Sequence, residues 1–226
     1  MAWGWYAGFL LLAAADWLAV WFNRPRWRIF TKSGTMLVLI LGFTLSSAWQ
    51  REAGWFGMGL VFSLLGDVLL MLPPSFFAAG VGAFLVAHLA YIIGLNQSFV
   101  IPNWLFVFPL LILALADTLG YRHLRNAIKT RPKGRWIRFP MMVYIIVISL
   151  MLFSSLLTWL RPDWPAQAAA LVSIGALLFY LSDLILAFNR FCAPIRRGRV
   201  TVIVTYHLAQ LAIVSGVLLK IGLLPH

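Results

Sequence analysis

The chain has 226 residues, 62% of them hydrophobic and 11% charged, with a mean hydropathy of +0.91. Soluble domains are about half apolar and a quarter charged, so an ordinary soluble globule is excluded; a disordered chain is excluded by the same hydrophobicity, and a disulfide scaffold or thiolate metal centre by the single cysteine, Cys192. The formal net charge of +12 would suggest nucleic acid in a soluble protein, but the 18 Lys and Arg residues fall almost entirely between apolar segments, and no nucleic-acid partner is expected.

At roughly 20 apolar residues per spanning helix, the sequence predicts an all-α, polytopic bundle of about eight transmembrane helices, with residues 1–226 forming one integral membrane domain. In chain order the predicted spans are 3–22, 35–50, 54–72, 76–96, 103–120, 137–160, 165–188 and 200–223. The first has no basic segment before it and is long enough to cross, so it reads as a span and not as a cleaved leader. Pro73-Pro74, Pro102, Pro132 and Pro162 fall in connections, whereas Pro109 lies inside the fifth span and is expected to kink it.

Basic residues concentrate in three connections. The first holds Arg24, Arg26, Arg28 and Lys32; the fifth holds Arg122, Arg125, Lys129, Arg131, Lys133, Arg135 and Arg138; the seventh holds Arg190, Arg196, Arg197 and Arg199. All three are odd-numbered. Because Lys and Arg are retained on the cytoplasmic side, both termini are expected to be non-cytoplasmic. The eleven tryptophans gather near span ends as an aromatic belt.

An ionisable group in hydrocarbon costs at least about 2.5 to 3.5 kcal/mol, so it persists where it faces a partner or a cavity. Four acids are intramembrane: Asp16, Asp67, Asp117 and Asp183, on the first, third, fifth and seventh spans. Asp67 and Asp183 stand five residues before the ends of their spans, roughly 7 to 8 Å deep at 1.5 Å per residue. Leu65-Gly66-Asp67-Val68-Leu69-Leu70 and Leu181-Ser182-Asp183-Leu184-Ile185-Leu186 match, and hint at two four-helix halves repeated in parallel. The following helices add His88 and Tyr91 at i, i+3, and Tyr206 and Gln210 at i, i+4. Gly59 and Ser63 share the Asp67 stripe and suit close helix packing. His88 and His207 with the two acids do not form a recognised zinc pattern, so no metal is expected.

These residues resemble the YhhN-like membrane lysoplasmalogenases. The resemblance rests on Phe62-Ser63-Leu64-Leu65-Gly66-Asp67; on Gly82, Phe84, His88 and Tyr91; on Tyr180-Leu181-Ser182-Asp183 with Ala187 and Arg190-Phe191; and on Thr205-Tyr206 with Ala209-Gln210. It departs at Ser33, where the family usually has proline after the lysine, and at His207, where a second aromatic hydroxyl is expected. The resemblance implies hydrolysis of the vinyl ether of a lysoplasmalogen, with lysophospholipid substrate and membrane lipid as partners and no cofactor. Protonating the β-carbon of an enol ether gives an oxocarbenium ion that water captures, which asks for one carboxylic acid and one carboxylate. Asp67 and Asp183 are the expected pair, unassigned between them. His88, Tyr91, Tyr206 and Gln210 would hold water and orient the acids, and Lys32 and Arg190 would reach the phosphate. The expected location is a bacterial cytoplasmic (inner) membrane. The competing reading is a proton-coupled transporter that uses the acids as a relay.

Overall fold

The computed structural model describes residues 4–50, 52–100, 103–129 and 134–223, the side chains of 134–136 excepted. Arg51, Pro102, Arg131, Pro132 and Lys133 therefore lie outside the described residues. Eight helices among the described residues are long and apolar enough to cross a membrane. They are α1 (Gly4–Trp21), α2 (Pro25–Ser47), α3 (Ala53–Met71), α4 (Phe77–Leu95), α5 (Val107–Ile128), α6 (Gly134–Leu156), α7 (Ala166–Phe191) and α8 (Gly198–Lys220). Short 3-10 turns at Pro74–Phe76, Trp104–Phe106 and Leu157–Leu160 join or extend them. Helices satisfy their own backbone donors and acceptors, which hydrocarbon cannot do.

Two expectations are corrected. The predicted start of the second span at residue 35 is ten residues late: α2 begins at Pro25, whose fixed φ and missing N–H suit the first helical position. Arg26, Arg28 and Lys32 thus lie on a helix, because hydropathy follows apolar side chains while the helix follows the backbone. Pro109 is the third residue of α5 and follows a 3-10 turn, so it sits in the first turn, where its absent N–H costs nothing, and does not interrupt the helix. Pro140 instead lies inside α6.

Neighbouring helices pair: α1 with α2, α3 with α4, α7 with α8. Further packing sets α4 on α6, and α8 on α1, α2 and α3. Two glycines make this possible. A Cβ on Gly59 would stand 2.2 Å from the Tyr91 ring, so the bare backbone of α3 seats that ring; a Cβ on Gly175 would stand 2.8 Å from the Ala209 carbonyl oxygen, so α7 and α8 meet backbone to backbone. Phe9, Phe43, Phe56, Leu60 and Phe179 are fully buried between the helices. By contrast α5 is peripheral and turns Leu111 and Ile112 outward, 60% and 66% exposed, as a lipid-facing helix of an integral membrane protein does.

The two ends of the bundle differ. At the end of α8, Lys220 lies 2.7 Å from Glu52, 3.0 Å from Asp163 and 4.6 Å from the centre of the Trp164 ring, while Arg161 donates to Asn96 at 2.6 Å. Burial alone would raise the Glu52 carboxyl, but the hydrogen bond and charge of Lys220 outweigh it and hold Glu52 below its ordinary range. Asp163 is held low by the same balance, with a further hydrogen bond from Ser98. At the opposite, basic end Arg197 adopts a left-handed φ of 61° and lays its guanidinium 4.2 Å from the centre of the Trp21 ring.

Candidate active site

A cavity of about 480 Å³ opens among α3, α4, α5, α6 and α7. Its walls are mostly apolar, and its volume is that of a small-molecule site. It lies toward the basic end: Pro74 in the 3-10 turn before α4, Phe77 at the start of α4, Pro140 near the start of α6, and Arg190 and Phe191 at the end of α7 all line it. The Arg190 guanidinium sits 4.6 Å from the centre of the Phe77 ring, which places a fixed positive charge at this rim.

Asp183 lines the cavity. Its Oδ2 accepts a very short hydrogen bond from the Tyr144 hydroxyl, and His88 Nε2 lies 3.3 Å from the same oxygen and 3.1 Å from the tyrosine oxygen. With Nε2 protonated, the imidazole donates to Asp183; its Nδ1 meets the Met151 sulfur at 3.2 Å. Deeper in the same cavity, Asp117 Oδ1 accepts from Tyr180 at 2.9 Å and from Ser149 at 2.8 Å.

Asp67 is placed elsewhere. It is fully buried among α2, α3 and α8, in an ion pair with Lys32 at 2.7 Å and accepting from the Tyr206 hydroxyl at 2.8 Å. It does not line the cavity, and among the described residues no hydrogen bond or ion pair joins it to Asp183. Between the two acids stands an aromatic wall. Tyr206 packs edge-on against Phe84 and Phe179, with ring centres 5.8 and 5.4 Å away, and Phe179 packs on His88 at 4.7 Å. Tyr91 donates to Gln210 at 2.7 Å on the Asp67 side of the wall. His88 and Tyr91, expected on one face, thus diverge, since an i, i+3 step leaves about 60° between them: one serves Asp183, the other Gln210. Tyr206 and Gln210 do stay together.

Lys32 is only 8% exposed and its charge is engaged by Asp67; Arg190 lines the cavity against Phe77. Asp16 accepts from Thr31 at 2.8 Å, with Arg28 at 3.5 Å, and His207 Nδ1 accepts from the Trp17 indole at 3.1 Å. His88 and His207 therefore belong to different clusters. Sequence reasoning missed Tyr144 and Ser149, and although it noted Asp117 as an intramembrane acid and Tyr180 as part of the resemblance, it did not join them. A signal existed for Tyr180, which precedes Asp183 by one helical turn. Tyr144, inside the apolar run Met141-Met142-Val143-Tyr144-Ile145, had none beyond its hydroxyl.

The chain is 30% identical to the lysoplasmalogenase TMEM86B of Mus musculus over 98% of its own length and 90% of that protein. It is 31% identical to the human lysoplasmalogenase TMEM86A over 76% of this chain and 68% of the relative. A lysoplasmalogenase of Mycobacterium bovis is 28% identical over 80% of this chain and 67% of its own. No solved structure matches. The model of the YhhN family matches residues 27–217, from α2 to the last turns of α8, and the chain belongs to the YhhN family.

Proposed function

We propose that this membrane protein is a lysoplasmalogenase, hydrolysing the vinyl ether bond of a lysoplasmalogen to a fatty aldehyde and glycerophosphocholine or glycerophosphoethanolamine. The observation that carries the reading is the apolar cavity with Asp183 in its wall and Arg190 at its rim. A single-chain lipid fits it with its phosphate beside Arg190 and its alkenyl chain among the leucines and isoleucines. The vinyl ether lies just beneath the glycerol, and Asp183 is eight residues in from the end of α7, about 12 Å below it. The names of the relatives point to the same substrate.

In this reading Asp183 is the carboxyl group that faces the reacting bond. Tyr144 and His88 both engage its Oδ2, which fixes the group and leaves Oδ1 for substrate or water. Asp67 is a positioning residue: it holds Tyr206, which backs Phe84 and Phe179. Lys32, Tyr91 and Gln210 complete that support. The basic end faces the cytoplasm of a bacterial inner membrane, with both termini on the other side, and substrate enters from the cytoplasmic leaflet.

The test is incubation of the purified protein with a vinyl ether lysolipid, its saturated ether analogue and an ester lysolipid, in D2O. The expected product is a fatty aldehyde carrying one deuterium at its α-carbon, from the vinyl ether alone. Release of fatty acid from the ester would make it a lysophospholipase; no product from any lipid would favour the transporter.

A further inference from the structure

Enol ether hydrolysis asks for two carboxyl groups, and the cavity has two in its wall: Asp183 and Asp117. They are held alike. Each has two polar side chains converging on one oxygen, Tyr144 and His88 on Asp183 Oδ2, Tyr180 and Ser149 on Asp117 Oδ1. Each carboxyl is thereby anchored while its second oxygen is left for the cavity.

Their depths can be read from the helices that hold them. Along α7, Tyr180 is three residues farther from the basic end than Asp183, about 4.5 Å. Along α6, Ser149 is five residues farther in than Tyr144, about 7.5 Å. Both place Asp117 deeper than Asp183 by roughly 5 to 8 Å. Paired carboxyls that flank a scissile acetal with room for substrate and water are about 5 to 9.5 Å apart. A lipid lying with its phosphate at Arg190 presents, in order of depth, the ether oxygen, the α-carbon of the vinyl group, then its β-carbon. The shallower acid meets the α-carbon and the deeper acid the β-carbon.

Resting on the lysoplasmalogenase reading, we propose that Asp117 is a catalytic residue, the proton donor to the β-carbon, and that Asp183 is the carboxylate that receives the attacking water. The Asp117 O–H bond breaks as the carbon–carbon π pair forms the new C–H bond, and the ether oxygen shares its lone pair to give the oxocarbenium ion. Water adds to the α-carbon and its proton passes to Asp183. The hemiacetal collapses when Asp183 returns that proton to the departing glycerol oxygen, while the hemiacetal hydroxyl proton restores Asp117. No oxidant, metal or net proton is consumed.

The experiment compares wild type, Asp117→Asn, Asp117→Glu and Tyr180→Phe in the full-length purified protein, reading kcat on the vinyl ether lysolipid and Kd for its saturated ether analogue. Asp117→Asn is expected to lower kcat by about 100- to 10,000-fold at unchanged Kd, because an amide has no acidic proton to give, and Asp117→Glu to recover part of the loss. Tyr180→Phe, which keeps the ring and removes one anchor, lowers kcat at unchanged Kd even if Asp117→Asn fails to fold. Wild-type kcat in Asp117→Asn, or in Tyr180→Phe where Asp117→Asn does not fold, overturns the assignment and leaves the lysoplasmalogenase reading standing. Absence of aldehyde from the wild type sinks that reading instead. A cationic lysolipid with ammonium nitrogen in place of the α-carbon separates the roles: its affinity falls in Asp183→Asn and persists in Asp117→Asn, and the opposite result reverses donor and carboxylate.

Discussion

Replacing Lys32 by Met keeps most of the stem and removes the charge that faces Asp67. The pair is 2.7 Å apart, Lys32 is 8% exposed and Asp67 is not exposed at all. At an effective dielectric constant of about 20, Coulomb's law gives roughly 6 kcal/mol at this separation, an upper bound because the desolvation of both ions is already spent. Breaking such a pair by removing one partner typically costs about 3 to 5 kcal/mol, since the other charge is stranded. For a chain of this size that is a fall in Tm of about 6 to 20 °C. Lys32→Met/Asp67→Asn strands no charge: the amide oxygen still accepts from Tyr206, and more than half of the loss should return. The assay is thermal unfolding in detergent, with the fraction surviving a heat step read by size exclusion. A single variant less than about 1 kcal/mol below wild type, or a double variant worse than the single, would show that Asp67 is not held as an ion in this pair.

Tyr144→Phe removes one of the two donors to Asp183, and a hydrogen bond to a charged group is worth about 1.5 to 3 kcal/mol, so kcat should fall about 10- to 100-fold with aldehyde still the product; a steady-state assay decides. Gly175→Ala forces a methyl group to within 2.8 Å of the Ala209 carbonyl oxygen and should cost about 1 to 3 kcal/mol in thermal unfolding. Glu52 and Asp163 are held below their ordinary range, so the stability they contribute is present above the unfolded-state carboxyl range and is lost as pH falls through the lower folded values; Lys220→Met should flatten the acid side of a Tm against pH curve. Reporters fused after residue 226 and in the connection after α5 should report opposite sides of the membrane.

The number and order of the helices were legible because a span advertises itself by sustained hydropathy. Where a helix runs beyond the hydrocarbon, that signal stops. Lys32 shows the consequence: read as a loop residue able to reach a phosphate, it stands two turns inside α2 with its charge turned to Asp67. Asp67 and Asp183 stood out because acids are rare in apolar helices, yet sequence depth cannot tell which side of a helix an acid faces. Two acids expected at one level instead stand four and eight residues from the ends of α3 and α7, separated by Phe84, Phe179 and Tyr206. Tyr144 was invisible for the opposite reason, since tyrosine is common in membrane helices and only its contact with Asp183 distinguishes it.

The faint repeat gains content from the contacts. Exchanging the first four helices with the last four pairs α2 with α6, α3 with α7 and α4 with α8. Asp67 on α3 is held from α2 by Lys32 and from α8 by Tyr206; Asp183 on α7 is held from α6 by Tyr144 and from α4 by His88. The outer acids obey the same exchange, Asp16 on α1 bonding to Thr31 on α2 and Asp117 on α5 bonding to Ser149 on α6. The halves differ in what is bonded to the acid. In the first, a lysine forms a closed ion pair that binds α2 to α3. In the second, a tyrosine hydroxyl stands where the lysine would be, and the carboxyl lines a cavity. A tyrosine donates one hydrogen bond and brings no charge, so in the proposed mechanism Asp183 is available to a cationic intermediate as the lysine-paired Asp67 is not. One arrangement of acids, used twice, thereby closes into an ion pair in one half of the bundle and opens onto a cavity in the other, which is where the proposed chemistry is placed.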